Sequence, residues 1–109
     1  MATTYKVLGQ VNPSATTLTT LYTVPSSTST VASTLMICNQ ANSNGTFRVA
    51  VRPAGAGISA QHYLSYDTVV PANDSIALTL GMTLETTDVV SVYASSTSLS
   101  FNLFGSEIT

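Results

Sequence analysis

The feature that most restricts the fold is a rhythm. Short stretches of Val, Thr, Ile, Leu, Tyr and Phe recur along the chain, and each is closed by a cluster of Ser, Asn, Gly or Pro. Side chains of a strand alternate between its two faces, so 46–52 sorts itself, with Phe47, Val49 and Val51 on one face and Arg48, Ala50 and Arg52 on the other. The same alternation sets Leu99, Phe101 and Leu103 against Ser98, Ser100 and Asn102, and Phe104 then breaks the polar row. Helical periodicity is sustained nowhere. The one window in which a helix is conceivable, 83–88, is short and made of mediocre helix formers. Strands are predicted at 5–11, 18–24, 31–39, 46–52, 61–67, 75–80, 88–94 and 99–104. About eight short strands at near-even spacing specify an all-β fold, a single-domain antiparallel β-sandwich. It is jelly-roll-like or, as the alternative, immunoglobulin-like.

A chain of 109 residues suits one domain, which at this size buries somewhat under ~70% of the surface its unfolded form exposes. The connections carry their own signals. Asn42-Ser43-Asn44-Gly45 reads as a tight turn in which Asn-Gly supplies a positive φ, so the third and fourth strands are expected to be hairpin partners. Pro53-Ala54-Gly55-Ala56-Gly57 reads as the most flexible connector, and Pro71-Ala72-Asn73-Asp74 as a turn before the sixth strand.

Charge narrows the function classes. Only 7% of residues are Asp, Glu, Lys or Arg, against about 25% in an average globular domain. Three cations and five anions leave a net charge of -2, which gives no basic footprint for phosphate backbones or anionic lipid, so neither nucleic acid nor membrane is an expected partner. Disorder fits badly too, because 44% of residues are hydrophobic and the mean hydropathy is +0.31. The opening residues lack a cationic cluster followed by an apolar stretch, so no secretory leader is expected. The single Cys38 has no partner for an internal disulfide and is expected to be a small buried hydrophobe.

The reactive inventory is equally small. His62, Asp67 and the many serines supply the residue types of a hydrolase triad, but no Gly-x-Ser-x-Gly elbow presents a nucleophile, and His62 is expected simply to sit on a strand with Leu64 and Tyr66. One His, one Cys and the scattered carboxylates Asp67, Asp74, Glu85, Asp88 and Glu107 show no metal-ligand spacing. The pair Glu85 and Asp88 falls in an expected loop, where a solvated or turn-forming role outweighs glycoside chemistry. Gly55-Ala56-Gly57 lacks the third Gly, the Lys and the helix of a phosphate loop. No catalytic residue, cofactor or metal is expected. Tyr63 and Tyr66 beside His62 form a conceivable sugar platform, although packing is the simpler role. Arg48 and Arg52, on one strand face with no acidic residue between them, are candidates to meet carboxylates of a neighbouring subunit, or else are solvated. Phe104 is a third candidate docking residue, outside the main core.

The run Leu21-Tyr22-Thr23-Val24-Pro25, a Ser/Thr spacer, and Val31-Ala32-Ser33-Thr34-Leu35-Met36-Ile37-Cys38-Asn39 resembles a pattern in small structural proteins of tailed bacteriophages, especially those infecting cyanobacteria. The stretches 46–55, 61–64 and 88–95 are similar to the same group, and together these segments cover most of the chain. The resemblance implies a virion structural protein without enzymatic activity and brings no functional residues. Within that class a chain of this size looks like a capsid cement or decoration protein, made in the host cytoplasm and placed on the phage head, with the major capsid protein as partner and a homotrimer as the favoured oligomer. A tail, baseplate or fibre module is the alternative within virions, and a carbohydrate-binding β-sandwich the alternative of another class.

Overall fold

The computed structural model describes residues 2–109, which form eight strands: β1 (Thr3–Val11), β2 (Thr19–Thr23), β3 (Ser29–Asn39), β4 (Gly45–Arg52), β5 (Tyr63–Val70), β6 (Ser75–Leu84), β7 (Val89–Ala94) and β8 (Leu99–Ile108). Two single 3-10 turns, Pro53–Gly55 and Ala60–His62, lie between β4 and β5. The strands make two four-stranded sheets, ordered β1-β8-β3-β6 (sheet A) and β2-β7-β4-β5 (sheet B), and every ladder within them is antiparallel. Partners nest as first with eighth, second with seventh, third with sixth and fourth with fifth, which is the jelly-roll arrangement rather than the immunoglobulin one.

The inward faces carry the alternating apolar residues anticipated for β4 and β8, joined by others from β3 and β7. Leu35 and Ile37 of β3 and Leu99, Phe101 and Leu103 of β8 line sheet A, and Phe47 and Val49 of β4 with Val90, Val92 and Ala94 of β7 line sheet B. All ten are fully buried. Phe47 and Phe101 meet edge to face across the sandwich, their ring centroids 6.2 Å apart, and so mark its centre.

Two expectations about connections are corrected. β3 and β4 are not hairpin partners, because they lie in different sheets and residues 40–44 cross from one to the other. Gly45 does not have a positive φ; a Cβ there would come 2.6 Å from Leu99 Cδ1, so glycine is needed for space rather than for a turn. The crossover is held instead by Asn39, which is 1% exposed. Its amide nitrogen donates toward the carbonyl oxygens of Ser43 (2.9 Å), Val70 (3.1 Å) and Pro71 (3.3 Å), and its Oδ1 accepts from the Ala41 N–H at 3.0 Å. One side chain thereby ties the β3–β4 crossover to the β5–β6 connection.

A line of irregular pairing crosses sheet A. Leu8 is extra on β1 and Ser33 extra on β3 relative to β8, while Leu80 and Gly81 of β6 together oppose Ser33. Gly81, at φ +58°, is a bulge residue within a strand that runs on to Leu84, so the strand continues into the window weighed for a helix. Beyond this line the inner face of the sandwich turns polar. The Tyr22 hydroxyl donates to Glu107 Oε2 at 2.6 Å and lies 2.8 Å from Thr30 Oγ1, and Lys6 Nζ reaches Glu107 Oε1 at 3.2 Å. This cluster joins β2 of sheet B to β1, β3 and β8 of sheet A. Burial first, and then the Glu107 hydrogen bond, push the Tyr22 hydroxyl up to about 12, while that same hydrogen bond leads in holding the Glu107 carboxyl below its usual range. At the same end the chain closes on itself: Ala2 and Thr109 exchange both backbone hydrogen bonds at 2.8 Å.

Candidate functional site

The outer face of sheet B carries a built cluster of side chains, and a mismatch in strand count creates it. Phe47 pairs with Thr68 and Val49 with Ser65, so Tyr66 and Asp67 of β5 together oppose the single residue Arg48 of β4. Asp67 takes φ +52°, a left-handed conformation that Asp tolerates better than most residues. Such a bulge re-aims side chains. Here it brings both Tyr66 and Asp67 onto Arg48: the guanidinium Nε donates to Asp67 Oδ1 at 2.7 Å and Nη2 lies 3.4 Å from Oδ2. Tyr93, the direct partner of Arg48 on β7, approaches from the other side. The guanidinium carbon is 4.0 Å from the Tyr66 ring centroid and 4.2 Å from that of Tyr93, so the cation is held between two aromatic rings. The Asp67 hydrogen bond is the main reason that Arg48 holds its proton even more firmly than a free arginine. Tyr63 continues the row, standing edge-on to Tyr66 with centroids 4.9 Å apart.

Beyond that pair the segment 56–62 borders an open cleft of 580 Å³ lined by Ile58, Ser59, Ala60, Tyr63 and Tyr66. The stretch leading into this segment is anchored. Arg52 donates from Nη1 to the Ala56 carbonyl at 3.2 Å and from Nε to Ser91 Oγ at 3.2 Å, and the Ala54 N–H donates to Asp88 Oδ1 at 2.9 Å. Asp88 also accepts from the Glu85 N–H at 3.0 Å through its other oxygen, which gives it the turn-forming role foreseen. His62 is not on a strand. It ends the second 3-10 turn, where its Nδ1 accepts from the Ser59 N–H at 3.1 Å in a capping box.

The three residues singled out from sequence therefore do not converge. Arg48 and Arg52 do share the outer face of β4, but Arg48 is neither solvated alone nor left for a neighbour, since Asp67 of its own chain supplies its carboxylate, and Arg52 is engaged with Ser91 and Ala56. Phe104 lies on the opposite side of the sandwich, on the outer face of sheet A, paired with Val7 of β1. Tyr5, two residues along β1, is 84% exposed and Val7 45% exposed. Phe104, Tyr5, Lys6, Val31, Ser33, Gly105 and Ser106 line a shallow groove of 390 Å³ there. Cys38, expected to be buried, is half-buried on the same outer face. Among the described residues no three His, Cys, Asp or Glu side chains are grouped as metal ligands, and no helix is long and apolar enough to cross a membrane. Sequence reading missed the Asp67, Tyr66 and Tyr93 partners of Arg48. The signal was faint: an acidic residue next to an aromatic one in the neighbouring strand. No family model matches the chain, and comparison with curated proteins and with solved structures gives no match either.

Proposed function

We propose that this chain is a virion structural protein of the cement or decoration type, which docks on the outside of a phage head through the outer face of sheet A and stabilises the capsid lattice. The observation that carries the reading is the apolar patch in which the exposed Tyr5 and Val7 stand beside the half-buried Phe104, on a surface with few charges. Large exposed apolar side chains grouped on one face mark contact surfaces rather than solvated ones. Lys6, the one charged residue lining this groove, is already paired with Glu107, so burying the surface against a neighbour strands few ions.

Dimensions agree with such a role. The domain measures 46 × 27 × 19 Å and exposes 5439 Å². A standard interface takes about 800 Å² from each partner, which is less than one broad face of this sandwich presents. Repetition over a lattice, and within a trimer, multiplies modest single contacts into stable attachment.

A reconstruction of the particle made in cells that express this chain tests the proposal. The expected density is a small sandwich on the outer head surface, with sheet A against the major capsid protein and a copy number in fixed ratio to it. Phe104→Asp is expected to leave the monomer folded and to abolish co-sedimentation with heads. Density confined to the tail, or undiminished binding of Phe104→Asp and of the double variant Tyr5→Asp/Val7→Asp, overturns it.

A further inference from the structure

The cleft on the outer face of sheet B is not used by docking through sheet A, and it has the make-up of a ligand site. We infer that it binds a neutral saccharide, with one pyranose ring stacked on Tyr66 and its hydroxyls met by the Arg48–Asp67 pair. Volume, floor and rim each contribute to the argument. At 580 Å³ the cleft lies in the range of small-ligand sites, and Ile58, Ala60 and the two tyrosine rings give it an apolar floor. Tyr66 is 57% exposed even with the Arg48 guanidinium over one ring face and Tyr63 packed perpendicular to the ring, so part of its surface is open to a ligand. An aromatic ring already packed against Arg48 loses little freedom on stacking against the C–H face of a sugar.

The rim selects among partners that offer an apolar face. The Asp67 side chain is 46% exposed and already neutralised by Arg48, so it accepts hydrogen bonds without presenting a net negative field. The guanidinium keeps its second terminal nitrogen clear of the ion pair, since Asp67 engages Nε and Nη2 only. A donor and an acceptor fixed side by side suit a pair of adjacent hydroxyls, each of which both gives and accepts. An anionic ligand finds no uncompensated cation here. A proline-rich peptide gains the aromatic floor but leaves the paired donor and acceptor unused. Arg48 itself is fixed between two rings, which orients its fork before any ligand arrives.

The test is an amide and guanidinium NMR titration of the intact protein with oligosaccharides of glucose, galactose, mannose and N-acetylglucosamine at millimolar concentration, with a sialylated oligosaccharide and a proline-rich peptide alongside. At least one neutral oligosaccharide is expected to shift the resonances of 58–66 and the Arg48 Nε–H in a saturable manner. The absence of Trp makes quenching of tyrosine emission a second readout. Tyr66→Ala is expected to weaken binding at least tenfold and Tyr66→Phe to preserve most of it. Ala60→Arg, at an exposed position, is expected to block the cleft while its other resonances stay dispersed as in a folded chain. The inference is overturned if no neutral saccharide binds, if binding survives both Tyr66→Ala and Ala60→Arg, or if the peptide or the anionic sugar alone binds.

Discussion

Replacing Asn39 gives the sharpest test of how this sandwich is held together. Its side chain is almost wholly buried and serves three carbonyl oxygens and one N–H, on the two connections and on the last residue of β5. An intramolecular hydrogen bond contributes about 1 kcal/mol net, and a buried polar group left without a partner costs about 1–3 kcal/mol. Truncation to Ala removes two N–H donors and one acceptor and strands the buried end of β5, so the expected loss is about 3–4 kcal/mol. For a domain of this size that corresponds to a midpoint lowered by about 12 °C or more. Asn39→Asp separates hydrogen bonding from shape, because it keeps the volume but sets an acceptor-only carboxylate against the Ser43, Val70 and Pro71 oxygens. Burial among carbonyls raises the pKa of that carboxyl in the folded state, so its folded form is favoured at low pH, and stability relative to the parent is lost as pH rises through the folded value. Urea unfolding of parent, Asn39→Ala and Asn39→Asp at pH 4 and pH 7 measures all of this. A loss below about 1 kcal/mol for Asn39→Ala, or an Asn39→Asp penalty equal at the two pH values, would refute the reasoning.

Further outcomes follow from other contacts. A Cβ on Gly105 would lie 2.1 Å from the Val31 carbonyl oxygen and 2.9 Å from Ala32 Cα, both backbone atoms of the adjacent strand, whereas one on Gly57 meets nothing within 4 Å. Gly105→Ala is therefore expected to cost at least about 1–3 kcal/mol and Gly57→Ala to be neutral or mildly stabilising in thermal unfolding. The cluster around Tyr22 bounds stability on both sides. The lowered Glu107 carboxyl contributes fully above its ordinary 4.5 and loses that contribution as pH falls through its folded value. The raised Tyr22 hydroxyl contributes fully below 10 and loses its share as pH climbs towards about 12. Urea midpoints measured against pH are expected to plateau between those limits, and Tyr22→Phe to flatten both shoulders. Removing the Arg52 side chain with Arg52→Ala frees the 53–57 segment, so hydrogen exchange at the Ala56 amide, which donates to the Pro53 carbonyl, is expected to accelerate while the amides of β4 remain protected.

The strands were legible because their information is local. Phe47, Val49, Leu99, Phe101 and Leu103 all face the core as alternation requires, and the eight predicted strands appear in order. What escaped was relational. Whether Asn44-Gly45 turns back beside β3 or carries the chain to the other sheet depends on where β6 and β8 pair, and nothing within four residues encodes that. A single buried Asn, which at a strand end looks like ordinary punctuation, then holds the crossing in place. The cluster around Arg48 was hidden for a similar reason. A bulge is a difference in count between two strands, so Asp67 and Tyr66 come to share a face only once the register on both sides of Arg48 is known. His62 illustrates the opposite error, since a strand was extended through two residues that prefer to close a 3-10 turn.

The double hydrogen bond between Ala2 and Thr109 makes the chain nearly a closed ring. In a nested jelly roll the first and last strands are neighbours, so the earliest and latest parts of the chain meet across the longest separation the sequence allows. Loop-closure cost grows only slowly with length, but a fold dominated by such distant pairings is expected to form slowly. A short linker joining 109 to 2, with new ends opened at the exposed Gly57, turns the outermost pair into the most local one and splits β4 from β5 instead. The same sandwich then assembles from the opposite side, and refolding rates of the two arrangements report which half of the roll forms first.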